Sequence, residues 1–87
     1  MVSREVKITN SIGLHARPAT FFIQRANSFK SSIGVEKDDR KVNAKSLLGV
    51  LSLGIAKGMP ILISADGVDE ESALESLCEL VDSGFEE

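Results

Sequence analysis

The sequence predicts an α+β fold: an open-faced two-layer sandwich in which a four-stranded antiparallel sheet carries three helices on one face. Three observations lead there. Alternating runs and helix-spaced runs follow one another in the order β-α-β-β-α-β-α. The 87 residues suit one core, so residues 1–87 are expected to form a single domain that buries roughly 60–65% of its unfolded surface. The apolar content of 43% is sufficient for that core, which must be mostly aliphatic because the chain has four Phe and neither Trp nor Tyr.

Each element has a local reason. Val6 and Ile8 alternate with Glu5, Lys7 and Thr9, the period of a half-buried strand. Asn10-Ser11-Ile12-Gly13 breaks it. Between Ala16 and Asn27 the apolar positions Ala16, Ala19, Phe22, Ile23 and Ala26 recur at helical spacing, with Pro18 in the first turn. Ile33 and Val35 begin a second alternating run, Lys37-Asp38-Asp39-Arg40 reads as a polar hairpin turn, and Lys41-Val42-Asn43 as a short strand. Ser46 precedes a short helix that Gly54 ends, and Ile55-Ala56-Lys57-Gly58 is a loop. Ile61-Leu62-Ile63-Ser64-Ala65 is apolar enough for a central strand, closed by an Asp66-Gly67 turn. In the last helix Asp69 is the expected cap and Val68 the expected staple onto Ala73, while Glu70 and Glu71 suit the positive helix end. Leu74, Leu77, Cys78 and Val81 form its apolar stripe, and Gly84 ends it.

Composition excludes several functions. A net charge of −3 gives no basic face for displacing counterions, and stacking aromatics are scarce, so direct nucleic-acid binding is not expected. The lone Cys78 cannot form an internal disulfide, and no residues resemble a zinc cluster; no metal is expected, and a reducing compartment is. Met1-Val2-Ser3-Arg4-Glu5-Val6 is charged and alternating rather than an apolar signal run, and no apolar stretch approaches about 18 residues. A cytoplasmic chain without membrane insertion is the expectation.

The chemistry gathers at the single histidine, in Gly13-Leu14-His15-Ala16-Arg17-Pro18-Ala19, where extended chain turns into helix. A helix start leaves backbone N–H groups without intrahelical partners and carries about half a positive charge, so it attracts anions. A ring nitrogen of His15 placed there can accept a phosphoryl group, whose oxygens the helix start at Ala16 and Pro18 and the Arg17 guanidinium would stabilise. Pro18 fixes the backbone and limits reorganisation during transfer. A lone histidine in a turn is more often an ordinary polar surface residue; its neighbours argue otherwise here.

Residue for residue this segment resembles the active-site signature of HPr, the histidine-containing phosphocarrier family of the bacterial phosphoenolpyruvate-dependent sugar phosphotransferase system, and the likeness extends along essentially the whole chain. The resemblance implies a relay. Enzyme I, charged by phosphoenolpyruvate, passes a phosphoryl group to Nδ1 of His15, which delivers it to IIA components of sugar permeases. Arg17 is implied as the phosphate-stabilising partner. The protein is then a carrier rather than an enzyme, with no organic cofactor, and a monomer is expected.

A second segment, Lys45-Ser46-Leu47-Leu48-Gly49-Val50-Leu51-Ser52-Leu53-Gly54, resembles the regulatory stretch of Gram-positive HPr proteins, whose matching serine an ATP-dependent HPr kinase/phosphorylase modifies. In those relatives the seryl-phosphorylated form also binds a catabolite-control transcription regulator, which becomes a candidate partner. A plain N-cap explains Ser46 equally well, and both roles are compatible. One short helix cannot bury apolar residues all round. Leu47, Leu48 and Leu51 are therefore expected to be partly exposed, with Val50 and Leu53 inward, and the resemblance implies that those three leucines contribute to a docking face for enzyme I and IIA partners. Arg17, Lys45 and Lys57 are the cations available for steering acidic partners. Three rivals remain: a purely regulatory homologue, which would carry another residue at His15; a carrier of the nitrogen-related branch; and a small nucleic-acid-binding domain.

Overall fold

A computed structural model of the chain describes residues 1–10, 13 and 15–85; Ser11, Ile12 and Leu14, which belong to the expected turn and signature, lie outside the described residues, as do the last two. The elements are β1 (Val2–Lys7), α1 (Ala16–Asn27), β2 (Ser32–Lys37), β3 (Arg40–Asn43), α2 (Leu47–Ser52), β4 (Pro60–Asp66) and α3 (Glu70–Asp82). The order is the expected one. The sheet runs β1-β4-β2-β3 with every neighbouring pair antiparallel, so the apolar β4 is central. β1 and β2 both oppose β4 and are therefore parallel to each other, which requires α1 to cross over a face of the sheet. α2 makes the equivalent crossing between β3 and β4.

Strand alternation separates the two faces. Val6 opposite Ile61, Val35 opposite Ile63 and Ile33 opposite Ala65 are buried beneath the helices. From α1 come Ala19, Phe22 and Ala26, and from α3 Leu74, Leu77, Cys78 and Val81. A large apolar side chain fully buried in such a layer contributes roughly 1.5–3 kcal/mol. Burial also pushes the Cys78 thiol above its ordinary pKa, in keeping with a packing role.

The turn at Asp38-Asp39 joins β2 to β3 with both residues in the left-handed region (φ 50° and 68°), the two-residue hairpin whose twist matches that of the strands. Its flanking cations close α2: Lys37 Nζ donates to the Leu53 carbonyl at 2.9 Å, and Arg40 Nη1 to that of Ser52 at 3.0 Å. At the end of α3, Phe85 N–H donates to Leu80 O and Gly84 N–H to Val81 O, with Gly84 left-handed (φ 70°) and Phe85 buried.

The start of α3 departs from expectation. Val68 is 87% exposed and staples nothing. Asp69 occupies the N-cap position, but its carboxylate makes no bond to its own helix. It accepts instead from the backbone N–H groups of Lys30 and Ser31, both at 2.9 Å, and from the Ser31 hydroxyl. The helix is anchored to the far end of α1 by that carboxylate, while Glu70 Oε1 accepts from Gly67 N–H at 3.1 Å. An apolar staple has no work left to do.

Candidate functional site

His15 stands at the N-cap of α1 with an extended backbone (φ −78°, ψ −177°), and its carbonyl accepts the first helical bond, from Ala19 N–H at 2.9 Å. Its side chain is exposed and makes no capping bond. An N-cap side chain normally accepts from the second or third helical residue. Here the third is Pro18, which is buried and has no N–H to give. The N–H groups of Ala16 and Arg17 donate to no acceptor among the described residues. An imidazole thus sits beside two open donors at the positive end of a 12-residue helix. Ala16 offers its N–H to an anion; Pro18 offers only a fixed backbone.

Asn10 and Gly13, before the histidine, are tied to each other and packed against the loop after α2. Gly13 is left-handed (φ 68°), and a Cβ there would fall 2.6 Å from the Ile55 carbonyl oxygen and 2.7 Å from Ala56 Cα. The loop after α2 therefore lies directly against Gly13, a contact only glycine permits. Asn10 Nδ2 donates to the Gly13 carbonyl at 2.8 Å, and Gly13 N–H donates to the Asn10 carbonyl at 3.3 Å. Asn10 is buried, and its Oδ1 has no hydrogen-bond partner. Sequence reasoning read Asn10 only as a strand breaker, because asparagine in a turn signals nothing more specific.

Arg17 shares the first helical turn with His15, yet no hydrogen bond joins them. Its guanidinium lies over the Phe21 ring, 5.9 Å from the centroid, one turn along the helix. Phe21 escaped the sequence reading because it falls outside the apolar stripe.

Ser46 is the N-cap of α2, and its hydroxyl oxygen accepts from Gly49 N–H at 3.1 Å. Leu48 is 81% exposed and Leu47 40%, Leu51 is half-buried, and Val50 and Leu53 face inward. Lys45 differs from expectation: its ammonium donates to the Phe29 carbonyl at 2.8 Å, tying it to the chain just beyond α1 rather than leaving it to steer partners. That bond brings the start of α2 to the far end of α1, while Ile55 and Ala56, beyond the end of α2, lie at Gly13. The two helices run antiparallel. His15 and Ser46 therefore stand at opposite ends of the helix pair.

No group of His, Cys, Asp and Glu suited to holding a metal occurs among the described residues. Nor is any helix there long and apolar enough to cross a membrane.

Known proteins are similar to this chain in sequence and in fold. The family model described as the PTS HPr component phosphorylation site matches residues 2–83. The HPr-like protein Crh of Bacillus subtilis is 46% identical over 81 residues, 93% of this chain and 95% of that protein. The phosphocarrier protein HPr of Neisseria meningitidis is 41% identical over 87 residues, 100% of this chain and 98% of that one. Among solved structures, HPr-C-His from Thermoanaerobacter tengcongensis superposes with a TM-score of 0.98 at 49% identity, covering 100% of this chain and 98% of that one. A second crystal structure from that organism, of an HPr dimer, matches with a TM-score of 0.81 at 49% identity and covers 100% of both chains. With an exposed histidine at an open helix start and a family match along nearly its whole length, this chain belongs to the HPr family.

Proposed function

We propose that the chain is a phosphocarrier of the sugar phosphotransferase system, one domain over residues 1–87, acting in the cytoplasm as a substrate of other proteins and not as an enzyme. Nδ1 of His15 attacks the phosphoryl group carried by enzyme I, the bond to the donor breaks as the N–P bond forms, and the group passes on to a IIA component of a sugar permease. Ala16 and Arg17 N–H groups take up phosphoryl oxygens, and the Arg17 guanidinium leaves Phe21 to join them. The carrying observation is the start of α1: an exposed acceptor whose neighbouring donors are unclaimed. Incubation with phosphoenolpyruvate and enzyme I tests it. One acid-labile, alkali-stable phosphate is expected, lost in His15→Ala and kept in Ser46→Ala; no incorporation into the parent chain refutes the proposal.

Ser46 is the proposed regulatory site for HPr kinase/phosphorylase. Its hydroxyl lies at a helix start, where added phosphate charge is tolerated. That charge, at the other end of the helix pair from the histidine, acts on a docking partner spread over both helices, with Leu47, Leu48 and Leu51 as its apolar contacts. Ser46→Asp is expected to slow transfer from enzyme I without unfolding the chain; equal rates overturn this.

A second reading is regulatory, since proteins named Crh are among the similar relatives. A catabolite-control transcription regulator is then the partner of the seryl-phosphorylated form. Retention of His15 favours the carrier. A monomer is the proposed state, but a dimer of a 49% identical HPr has been crystallised; sedimentation of the purified chain decides it.

A further inference from the structure

The sheet face that carries no helix has a groove of about 510 Å³, lined among others by Lys30, Ser32, Gly34, Lys41, Asn43 and Ser64. Register explains it. Asn43, Gly34, Ser64 and Ser3 stand opposite one another on β3, β2, β4 and β1, a row of small residues across all four strands. Gly34 lies in the middle of β2, where glycine weakens a strand and where its lack of a side chain lets another group approach the backbone. Only the Lys41 stem crosses it, with Cε 2.7 Å from where a Cβ would stand; Ser64 Oγ is 3.2 Å from the same point.

The lining is unusual for an acidic protein. Lys30, Lys41, Lys45, Met1 and Asp66 all line it; the N-terminal ammonium is already paired with Asp66 at 3.8 Å and Glu70 at 3.3 Å, and the Lys45 ammonium with the Phe29 carbonyl, which leaves Lys30 and Lys41 for a ligand. Lys30 and Lys41 make no ion pair among the described residues. Ser64 is only 7% exposed, and its hydroxyl has no hydrogen-bond partner among them either. A hydroxyl that no side chain or backbone group claims, and that still reaches the surface at the floor of the groove, is a donor and acceptor open to a ligand.

We propose that this groove binds a small hydroxylated organic anion, its charged oxygens held by Lys30 and Lys41 and a hydroxyl or carbonyl group by Ser64 and Asn43. The site is separate from the histidine: Lys30 lies beyond the far end of α1, and the groove is on the opposite face of the sheet from the helices. It therefore stands whether or not His15 carries phosphate.

Titration of the full chain by amide NMR at low salt tests this, with glycerol 3-phosphate as probe, inorganic phosphate as the anion-only arm and glycerol as the neutral arm. Glycerol 3-phosphate should give saturable shifts at Ser32, Gly34, Asn43 and Ser64, bind at least threefold tighter than phosphate, and behave identically in His15→Ala. Lys41→Gln should weaken binding at least fivefold. Ser64→Ala should weaken it about threefold, and so should Gly34→Ala, whose methyl fills the floor. Shifts that fail to saturate, that centre on Ala16 and Arg17, that are equal for phosphate and glycerol 3-phosphate, or that are unchanged in Lys41→Gln overturn the proposal. Lys41 is exposed on an edge strand, so that variant reads binding without threatening the fold.

Discussion

The starts of α1 and α2 answer the same physical problem in opposite ways. Both leave backbone donors that need acceptors. At α2 the chain answers from within: Ser46 turns its hydroxyl oxygen to Gly49 N–H. At α1 the N-cap is His15, whose side chain bonds to nothing in its own helix, and Pro18 deletes one of the donors a cap would use. A helix start satisfied by its own side chain stabilises; one left open is available to a visiting anion. The start of α3 is a third solution, since its N-cap carboxylate serves another part of the molecule altogether.

Replacing the acceptor should produce the largest effect. His15→Ala is expected to abolish phosphate incorporation from phosphoenolpyruvate and enzyme I while leaving the unfolding midpoint close to that of the parent, because no bond among the described residues uses the imidazole. A large loss of stability in this variant, read by circular dichroism melting, would mean that the α1 start is structural after all.

Asp69 comes next. Its hydrogen bonds to the Ser31 hydroxyl, and to the backbone N–H groups of Lys30 and Ser31, hold its carboxyl at a pKa of about 2, below the ordinary 3.8. A carboxyl held low in the folded state favours folding fully above its unfolded pKa, and the contribution fades as pH falls from about 4 through 2. Asp69→Asn should lower the midpoint of urea unfolding at pH 7 by more than Ser46→Ala does, with the gap to the parent closing below pH 3. A gap that persists unchanged at pH 2 argues that the anchor is not the ionised carboxylate.

The fold was legible because its signals are periodic. β4 read as central from 61–65, and the helix stripes at Phe22 and Leu77 predicted the core correctly. The places of His15, Arg17 and Ser46 at helix starts were legible because residue type and position coincide there; the roles given to them are proposals. What escaped depends on contacts between segments far apart in the chain. Asp69 looks like an ordinary cap until the 30–31 backbone arrives beside it. Lys45 looks free until Phe29 O is found within reach, and Asn10 looks like punctuation until Gly13 folds back onto it. Val68 was misread for the same reason: the staple is a local pattern, and α3 is fixed by long-range bonds instead.

Exchanging the two caps sharpens the comparison. Ser46→Ala removes one side-chain acceptor from Gly49 N–H and should cost about 1 kcal/mol. For a domain of this size that is a fall in melting temperature of roughly 4–8 °C. His15→Ser runs the exchange the other way and should have the smallest effect. A serine at the α1 N-cap finds only Arg17 N–H to accept from, because the next residue is Pro18. The gain should therefore reach no more than about 0.5 kcal/mol, the low end for a capping hydroxyl. Combining His15→Ser with Pro18→Ala sharpens the test, since the alanine supplies the missing N–H. The proline also packs in the core and restrains the unfolded chain, so the informative number is the coupling between the two changes. A favourable coupling of a few tenths of a kcal/mol means that Pro18 keeps the helix mouth open. No coupling means that it serves packing alone.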